Sequence, residues 1–308
     1  MEKIFNTYLI MRNKVLFSRL VLLLLFICSA IYSNGQKLKV HSNIKDANTI
    51  LMTYNIHHGK GMDNKIDYER IAREISFVDA DFVALQEVDS CTVRSGEINV
   101  AEHIAKLVGK REFLFGPTFN YNGGKFGNAI ISKKKPLAHF NFTLPSGEEP
   151  RALLVAEFDN CYIASCHLPL DSVSRAEASY EIEKIVNQIV GDEFRADGKK
   201  IFSGKDKLFF LLGDLNDLPN SRPLFNLSRN FEWLSKSLMY TFPADKPNRI
   251  LDYILLYKNK SADKLINKLK RKKLELLTWV QAESVASDHR PVICVFSKDQ
   301  EVLITKVD

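Results

Sequence analysis

Eight short apolar runs set the limits on how this chain can fold. They cover residues 49–55, 82–87, 129–132, 153–158, 162–167, 208–213, 251–257 and 291–297. Several, such as FVALQ and LFFLLGD, are apolar at consecutive positions, which fits strands buried on both faces. Helical patterns lie between some of them. Asp67 ahead of Tyr68, Glu69, Arg70 and Ile71 reads as an N-cap and first turn, with Ile71, Ile75 and Val78 on one face. Residues 100–108 and 175–190 repeat that spacing, the second through Ile182, Ile185, Val186 and Ile189. Strands outnumber helices and helices recur between them, which predicts an α/β (α+β) fold of sheets covered by helices.

No repeat and no linker divides the chain after its N-terminal segment. A charged fraction of 26% with 20 Phe and 10 Tyr excludes a disordered chain, and five Cys are too few for a disulfide scaffold. Cys161 and Cys166 stand five apart in one run, hence on opposite strand faces, and no pairing is specified. The polar stretch 191–207 predicts an exposed loop. Residues 263–273 hold Lys264, Lys268, Lys270, Arg271, Lys272 and Lys273. They read either as a phosphate-tracking patch or as a solvated helix face, and charge runs are more often the latter.

Lys14 and Arg19 precede the apolar run LVLLLLFICSA, which is too short for a comfortable membrane span. The reading is a signal peptide over residues 1–35 followed by one domain over 36–308, with export to the periplasm or the medium. An uncleaved N-terminal membrane anchor is the alternative. Residues 1–35 carry Lys3, Arg12, Lys14 and Arg19 against Glu2, so their removal takes the net charge from +6 to +3. That balance is weak evidence for a polyanionic partner, and a monomer without a stable span is expected.

Polar residues at the ends of buried runs emerge at a sheet edge and can converge on one crevice. They are Asn55, Glu87, His167, Asp214 with Asn216, Asp252, and Asp288 with His289. Singly, each has a bland reading: a turn residue, a surface carboxylate or a core histidine. Together they supply oxygen and imidazole but almost no sulfur, which suits Mg²⁺, Mn²⁺ or Ca²⁺ rather than Zn²⁺. His57 and His58 follow Asn55 directly, and which of them faces a site stays open.

The ordered motifs TYN (53–55), LQE (85–87), CHL around His167, GDLN (213–216), LDYI (251–254) and SDHRPV (287–292) resemble the endonuclease/exonuclease/phosphatase superfamily. The resemblance covers about residues 51–296. It implies a four-layered sandwich, two packed and mostly antiparallel sheets flanked by helices, with a site at one end. It further implies Asn55, Glu87 and Asp288 as metal ligands. His167, Asp214, Asn216, Asp252 and His289 become the catalytic set: Asp214 activates water, Asn216 holds it, and His289 paired with Asp252 contacts the phosphate. His167 acts near the leaving group. Arg151 resembles a phosphate-contacting arginine, its alternative being a surface residue beside Glu148 and Glu149. Arg94 and Asn128 are further phosphate candidates, the latter beside glycines 123, 124 and 127 that would let substrate approach the backbone.

The expected activity is divalent-metal-dependent hydrolysis of a phosphate ester, first a phosphodiester of the nuclease type, with nucleic acid among the candidate partners. Phospholipid headgroups and small phosphate esters are the second class, although the segment 249–254 lacks the inositol phosphatase signature. A silent binding domain on the same fold predicts loss of a core site residue, and none is lost.

Overall fold

The computed structural model describes residues 38–41, 49–109, 111–202, 207–235, 240–272, 276–296 and 303–306. The expected signal segment and its boundary at residue 35 lie outside them. Strand β1 (Leu38–His41) pairs antiparallel with the last strand, β16 (Leu303–Lys306), in a small unit of its own. All other described residues belong to the larger unit within Ile44–Glu301.

In chain order that unit contains β2 (Thr49–Asn55), α1 (Tyr68–Val78), β3 (Phe82–Ser90), α2 (Val100–Leu107), β4 (Glu112–Tyr121), β5 (Gly124–Ser132), β6 (Ala138–Leu144) and β7 (Arg151–Glu157). Then follow β8 (Cys161–His167), α3 (Ser172–Val190), a two-residue hairpin of β9 (Arg195–Ala196) and β10 (Lys199–Lys200), and β11 (Leu208–Asp214). The unit closes with α4 (Arg222–Asn230), β12 (Phe231–Trp233), β13 (Asp252–Tyr257), α5 (Lys260–Lys272), β14 (Leu276–Val280) and β15 (Val292–Phe296). Two six-stranded sheets result, ordered β14-β15-β2-β3-β5-β4 and β12-β13-β11-β8-β7-β6. Each is antiparallel except for one central parallel pair: β2 with β3 in the first sheet, β8 with β11 in the second.

Period-two alternation sorts the side chains into three apolar layers. Leu51, Ala84, Ile130, Leu154, Ile163, Phe210, Leu212 and Ile254 interleave between the sheets. Met52, Tyr54, Val83 and Leu85 face outward against Ile71, Ile75 and Val78 of α1 and Ile104 of α2. Val155, Ala164, Leu211 and Leu255 face outward on the second sheet against Ile182, Ile185 and Ile189 of α3 and Leu224 and Leu227 of α4. This is the four-layered sandwich the motifs implied. Cys161 lies between the sheets and Cys166 on the helix side, opposite faces as expected, and neither is in a disulfide. The N-cap reading also holds, since the Asp67 carboxylate accepts from the Arg70 amide at 3.0 Å.

The expected loop at 191–207 carries the small hairpin β9–β10. Most of the basic run at 263–273 falls in α5, whose Leu265 and Ile266 pack against the inter-sheet core. Among the described residues no helix is long and apolar enough to cross a membrane.

Candidate active site

The two parallel pairs decide where the site lies. Parallel strands end together, so β2 and β3 in one sheet and β8 and β11 in the other present their carboxyl ends at the same edge of the sandwich. Residues of the same parity as Leu51, Ile163, Phe210 and Ile254 point between the sheets. Extending that parity to the strand ends delivers Asn55, His167, Asp214 and Asp252 into the inter-sheet crevice. All four are buried. Below them a buried polar bridge ties the sheets: Thr53 Oγ1 donates to Gln86 Oε1 at 3.2 Å, Gln86 Nε2 to Ser165 Oγ at 3.1 Å, and Ser165 Oγ to the Leu85 carbonyl at 3.1 Å.

Glu87 reaches the crevice by a different device. Its parity matches Val83 and Leu85, which face the helices. The register of β3 against β5 breaks between Leu85 and Val88, and Glu87 adopts a φ of +57°. This bulge turns Glu87 into the cleft and returns Val88 to the helix side. A non-glycine residue in the left-handed region costs about 1–2 kcal/mol, which the surrounding strands must impose. Asn216 is also left-handed, at +50°: its amide donates to Asp214 Oδ1 at 2.9 Å and its side chain to the Leu168 carbonyl at 2.9 Å. The glycine before Asp214 is sterically required, because a Cβ on Gly213 would lie 2.0 Å from the Cys166 carbonyl oxygen across the parallel pair.

Asp214 is the hub. Its Oδ2 accepts from Asn55 Nδ2 at 3.1 Å and lies 3.5 Å from Nε2 of both His167 and His289. Burial, with the Asp252 charge adding to it, pushes Asp214 up to about 7, against the opposing pull of His289. His289 Nδ1 meets Asp252 Oδ2 at 2.8 Å. Burial alone would depress His289, but the charges of Asp252 and Asp214 and the Asp252 hydrogen bond outweigh it and raise the imidazole to about 10. His289 is therefore a cation at neutral pH. His167 is the opposite case: burial, then the nearby Arg151 and His289 charges, hold it well below the usual histidine range. Arg151 Nη1 stands 3.4 Å from His167 Nδ1. An arginine can only donate, so Nδ1 is the acceptor and neutral His167 presents its Nε2 proton toward Asp214.

Asn55 joins this hub to a second group of carboxylates, since its Nδ2 also donates to Glu87 Oε1 at 2.9 Å. Its Oδ1 accepts from the His57 amide at 3.1 Å, and Ser287 Oγ donates to the Asn55 carbonyl at 2.7 Å, bringing Asp288 alongside. Burial, then repulsion from Asp288, raises Glu87 above the ordinary carboxylate range. Among the described residues no lysine or arginine forms an ion pair with Glu87 or Asp288. Two neighbouring carboxylates without a lysine or arginine partner, with the Asn55 side chain beside them, fit a hard divalent cation. Asn55, Glu87 and Asp288 would hold it.

The cleft over these groups has a volume of about 520 Å³. Two of the three phosphate candidates line it, each already paired. Arg151 is buried rather than on the surface, bound to Glu149 Oε1 at 2.5 Å, and its Nε has no partner among the described residues. Arg94 makes a two-point pair with Asp89 at 2.7 and 2.8 Å and stacks over Tyr121 at 4.4 Å. Asn128 is not brought to the cleft: its amide holds the Ala152 carbonyl across the sheets at 2.9 Å. The expected role of the nearby glycines changes with it. A Cβ on Gly127 would strike the Gly116 carbonyl at 2.1 Å, and one on Gly124 the Ser90 carbonyl at 2.3 Å, so both serve chain packing rather than substrate approach.

Further lining residues had no signal read from the sequence. Phe119, Tyr121 and Phe126 form an aromatic wall, and Phe242, 4.7 Å from the His289 ring, has the Arg249 guanidinium over its own ring at 4.7 Å. Alternation of Phe119 and Tyr121 just before the Asn122–Gly123 turn was the available clue.

The endonuclease/exonuclease/phosphatase family model matches residues 52–289, and the chain belongs to that family of phosphoester hydrolases. The fold is shared with solved structures of low sequence identity. A family protein from Beutenbergia cavernae DSM 12333 is 18% identical with a TM-score of 0.59, over 81% of this chain and 71% of that one. One from Bacteroides vulgatus is 15% identical at a TM-score of 0.60, over 81% and 98%. A mannosyl-6-phosphatase from Bacteroides thetaiotaomicron VPI-5482 is 14% identical at 0.57, over 81% and 100%. Comparison with curated proteins gave no match.

Proposed function

We propose that this chain is a divalent-cation-dependent hydrolase of phosphate esters, acting first on phosphodiesters. The observation that carries this reading is the meeting of Asp214, cationic His289, neutral His167 and the Asn55–Glu87–Asp288 oxygen cluster at one edge of the sandwich. Mg²⁺ or Mn²⁺ bound there supplies charge neutralisation for the phosphoryl oxygens.

The chain's own groups do the rest. Asp214, raised to about 7, is poised to take a proton from water near neutrality. Asn216 and Asn55 fix the Asp214 carboxylate through hydrogen bonds to its two oxygens. His289, fixed by Asp252, offers a charged donor to the phosphate. His167 offers its Nε2 proton from the opposite sheet, on the side where Arg151 adds positive charge.

A second reading is hydrolysis of a small phosphate monoester. It is favoured by the compact cleft, within the usual range for small-molecule sites, and by the fold likeness to a mannosyl-6-phosphatase. The residual charge of +3 gives nucleic acid no special support. Export, from the basic and apolar character of residues 14–30, remains part of the proposal. Purified residues 36–308 should be assayed with Mg²⁺ or Mn²⁺ against bis-p-nitrophenyl phosphate, plasmid DNA, RNA, sphingomyelin and sugar and inositol phosphates. Turnover of diesters supports the first reading and turnover of monoesters alone the second. No chelator-sensitive turnover on any of them overturns both.

A further inference from the structure

We propose that the cation held at Glu87 is also coordinated by the imidazoles of His57 and His58, so that this site prefers a first-row transition ion, Mn²⁺ included, over Mg²⁺. The inference rests on the cation site of the proposed function and adds its ligand chemistry. Three observations carry it. First, ligand atoms of His57, His58 and Glu87 all lie within 4.8 Å of one another, and all three residues line the cleft. Second, His57 Nδ1 lies 3.8 Å from Asp288 Oδ1, so the same imidazole borders both carboxylates. Third, the backbone is held in an unfavourable form to achieve this. His57 and His58 have φ of +44° and +47°, two consecutive non-glycine residues in the left-handed region. The turn is closed by Gly59, at +84°, whose missing Cβ makes room for the Tyr68 ring, 2.3 Å from where that Cβ would stand. A turn built only to connect β2 to α1 has no need to spend two histidines in that conformation.

Imidazole nitrogen beside carboxylate oxygen shifts preference away from Mg²⁺, which favours carboxylate, carbonyl and water oxygens, toward first-row transition ions. His57 Nδ1 also lies 3.2 Å from the Lys60 carbonyl. A proton on Nδ1 donated to that carbonyl leaves Nε2 free as the ligand atom.

The test uses purified, metal-stripped protein titrated with Mn²⁺ alone and followed by electron paramagnetic resonance, including pulsed detection of coupled ¹⁴N. Substitutions to Asn retain the left-handed preference that Ala would lose, so His57→Asn and His58→Asn, singly and together, remove imidazole with little backbone penalty. Circular dichroism and thermal unfolding confirm that each variant is folded. The expected result is ¹⁴N coupling in the parent, lost in the double variant. A fall in Mn²⁺ affinity of about tenfold or more accompanies it, the scale at which even supporting groups of a metal ligand act, and Mg²⁺ affinity stays the same or rises. Glu87→Gln separates the two ideas. Loss of Mn²⁺ binding in Glu87→Gln, without ¹⁴N coupling in the parent, keeps the carboxylate site and overturns the imidazole proposal. Mn²⁺ binding that Glu87→Gln leaves unchanged overturns the site itself.

Discussion

Replacing Asp252 by Asn tests whether the buried His289–Asp252 pair sets the charge of the site. Asn keeps the shape and an acceptor oxygen for His289 Nδ1, now 2.8 Å from the carboxylate, and removes only the negative charge. His289 titrates at about 10, against 6.5 for an unperturbed imidazole. At roughly 1.4 kcal/mol per pH unit, its surroundings favour the imidazolium by on the order of 5 kcal/mol. Burial works against the cation, so Asp252, Asp214 and Asp288 together supply more than that net figure. An opposite charge in contact is worth about 1–3 pH units, and losing Asp252 should lower the His289 midpoint by that amount. The sign follows from linkage. The folded value lies above the unfolded one, so the stabilisation is complete below pH 6.5 and is lost as pH rises through about 10. In Asp252→Asn that loss sets in at correspondingly lower pH, and activity near pH 9 falls by about 2-fold for a one-unit shift to about 90-fold for a three-unit shift, following the fraction of charged donor left. The assay is NMR titration of ¹³C,¹⁵N-histidine in metal-free protein, with His289 assigned by His289→Asn. A midpoint unmoved in a natively folded Asp252→Asn protein would refute the reasoning, because among the described residues no other group makes both a hydrogen bond and an ion pair to Nδ1.

Other outcomes follow from the same geometry. Asp214→Asn should make the metal-free protein more stable above about pH 7 and leave it unchanged below pH 3.8. The reason is that a carboxylate raised to about 7 costs the fold stability as it ionises, a contrast that thermal unfolding at pH 3.5 and pH 8 measures. Ser165→Val should leave Gln86 Nε2 without its partner between the sheets and cost about 1–3 kcal/mol, read as a lower urea midpoint with an unchanged slope. Arg151→Gln should reduce turnover and also raise the His167 midpoint, since the Arg151 charge contributes to holding that ring neutral. A rise seen by histidine NMR separates this role from a purely structural one.

The sequence was readable where burial is complete on both faces and opaque elsewhere. Strand β2 falls on the expected residues 49–55, and β8 and β11 lie within a residue of theirs. Within the two six-stranded sheets, the four strands with no sequence reading, β4, β6, β12 and β14, are the four edges. Edge strands are half exposed, so EFLFGPTFNY and AHFNFTL mix apolar and polar residues without a continuous run. The site divides in the same way. Asn55, His167, Asp214 and Asp252 follow strand parity, which is legible. Glu87 lies on the wrong parity and reaches the cleft only through a bulge, a feature of pairing rather than of local pattern. Arg151 has acidic neighbours that suggested a surface ion pair, and its burial follows from the packing of β7 against β5 and β8. Asn128 looked available because nothing local shows that its amide crosses to the other sheet.

The most direct test of the central claim is hydrolysis of bis-p-nitrophenyl phosphate by metal-stripped protein before and after adding Mn²⁺, with Asp214→Asn alongside. The expected result is no turnover without the cation, restoration on its addition, and a loss of about 10³-fold or more in a folded, Mn²⁺-binding Asp214→Asn protein. Turnover that survives cation removal, or that Asp214→Asn leaves near the parent rate, would contradict it.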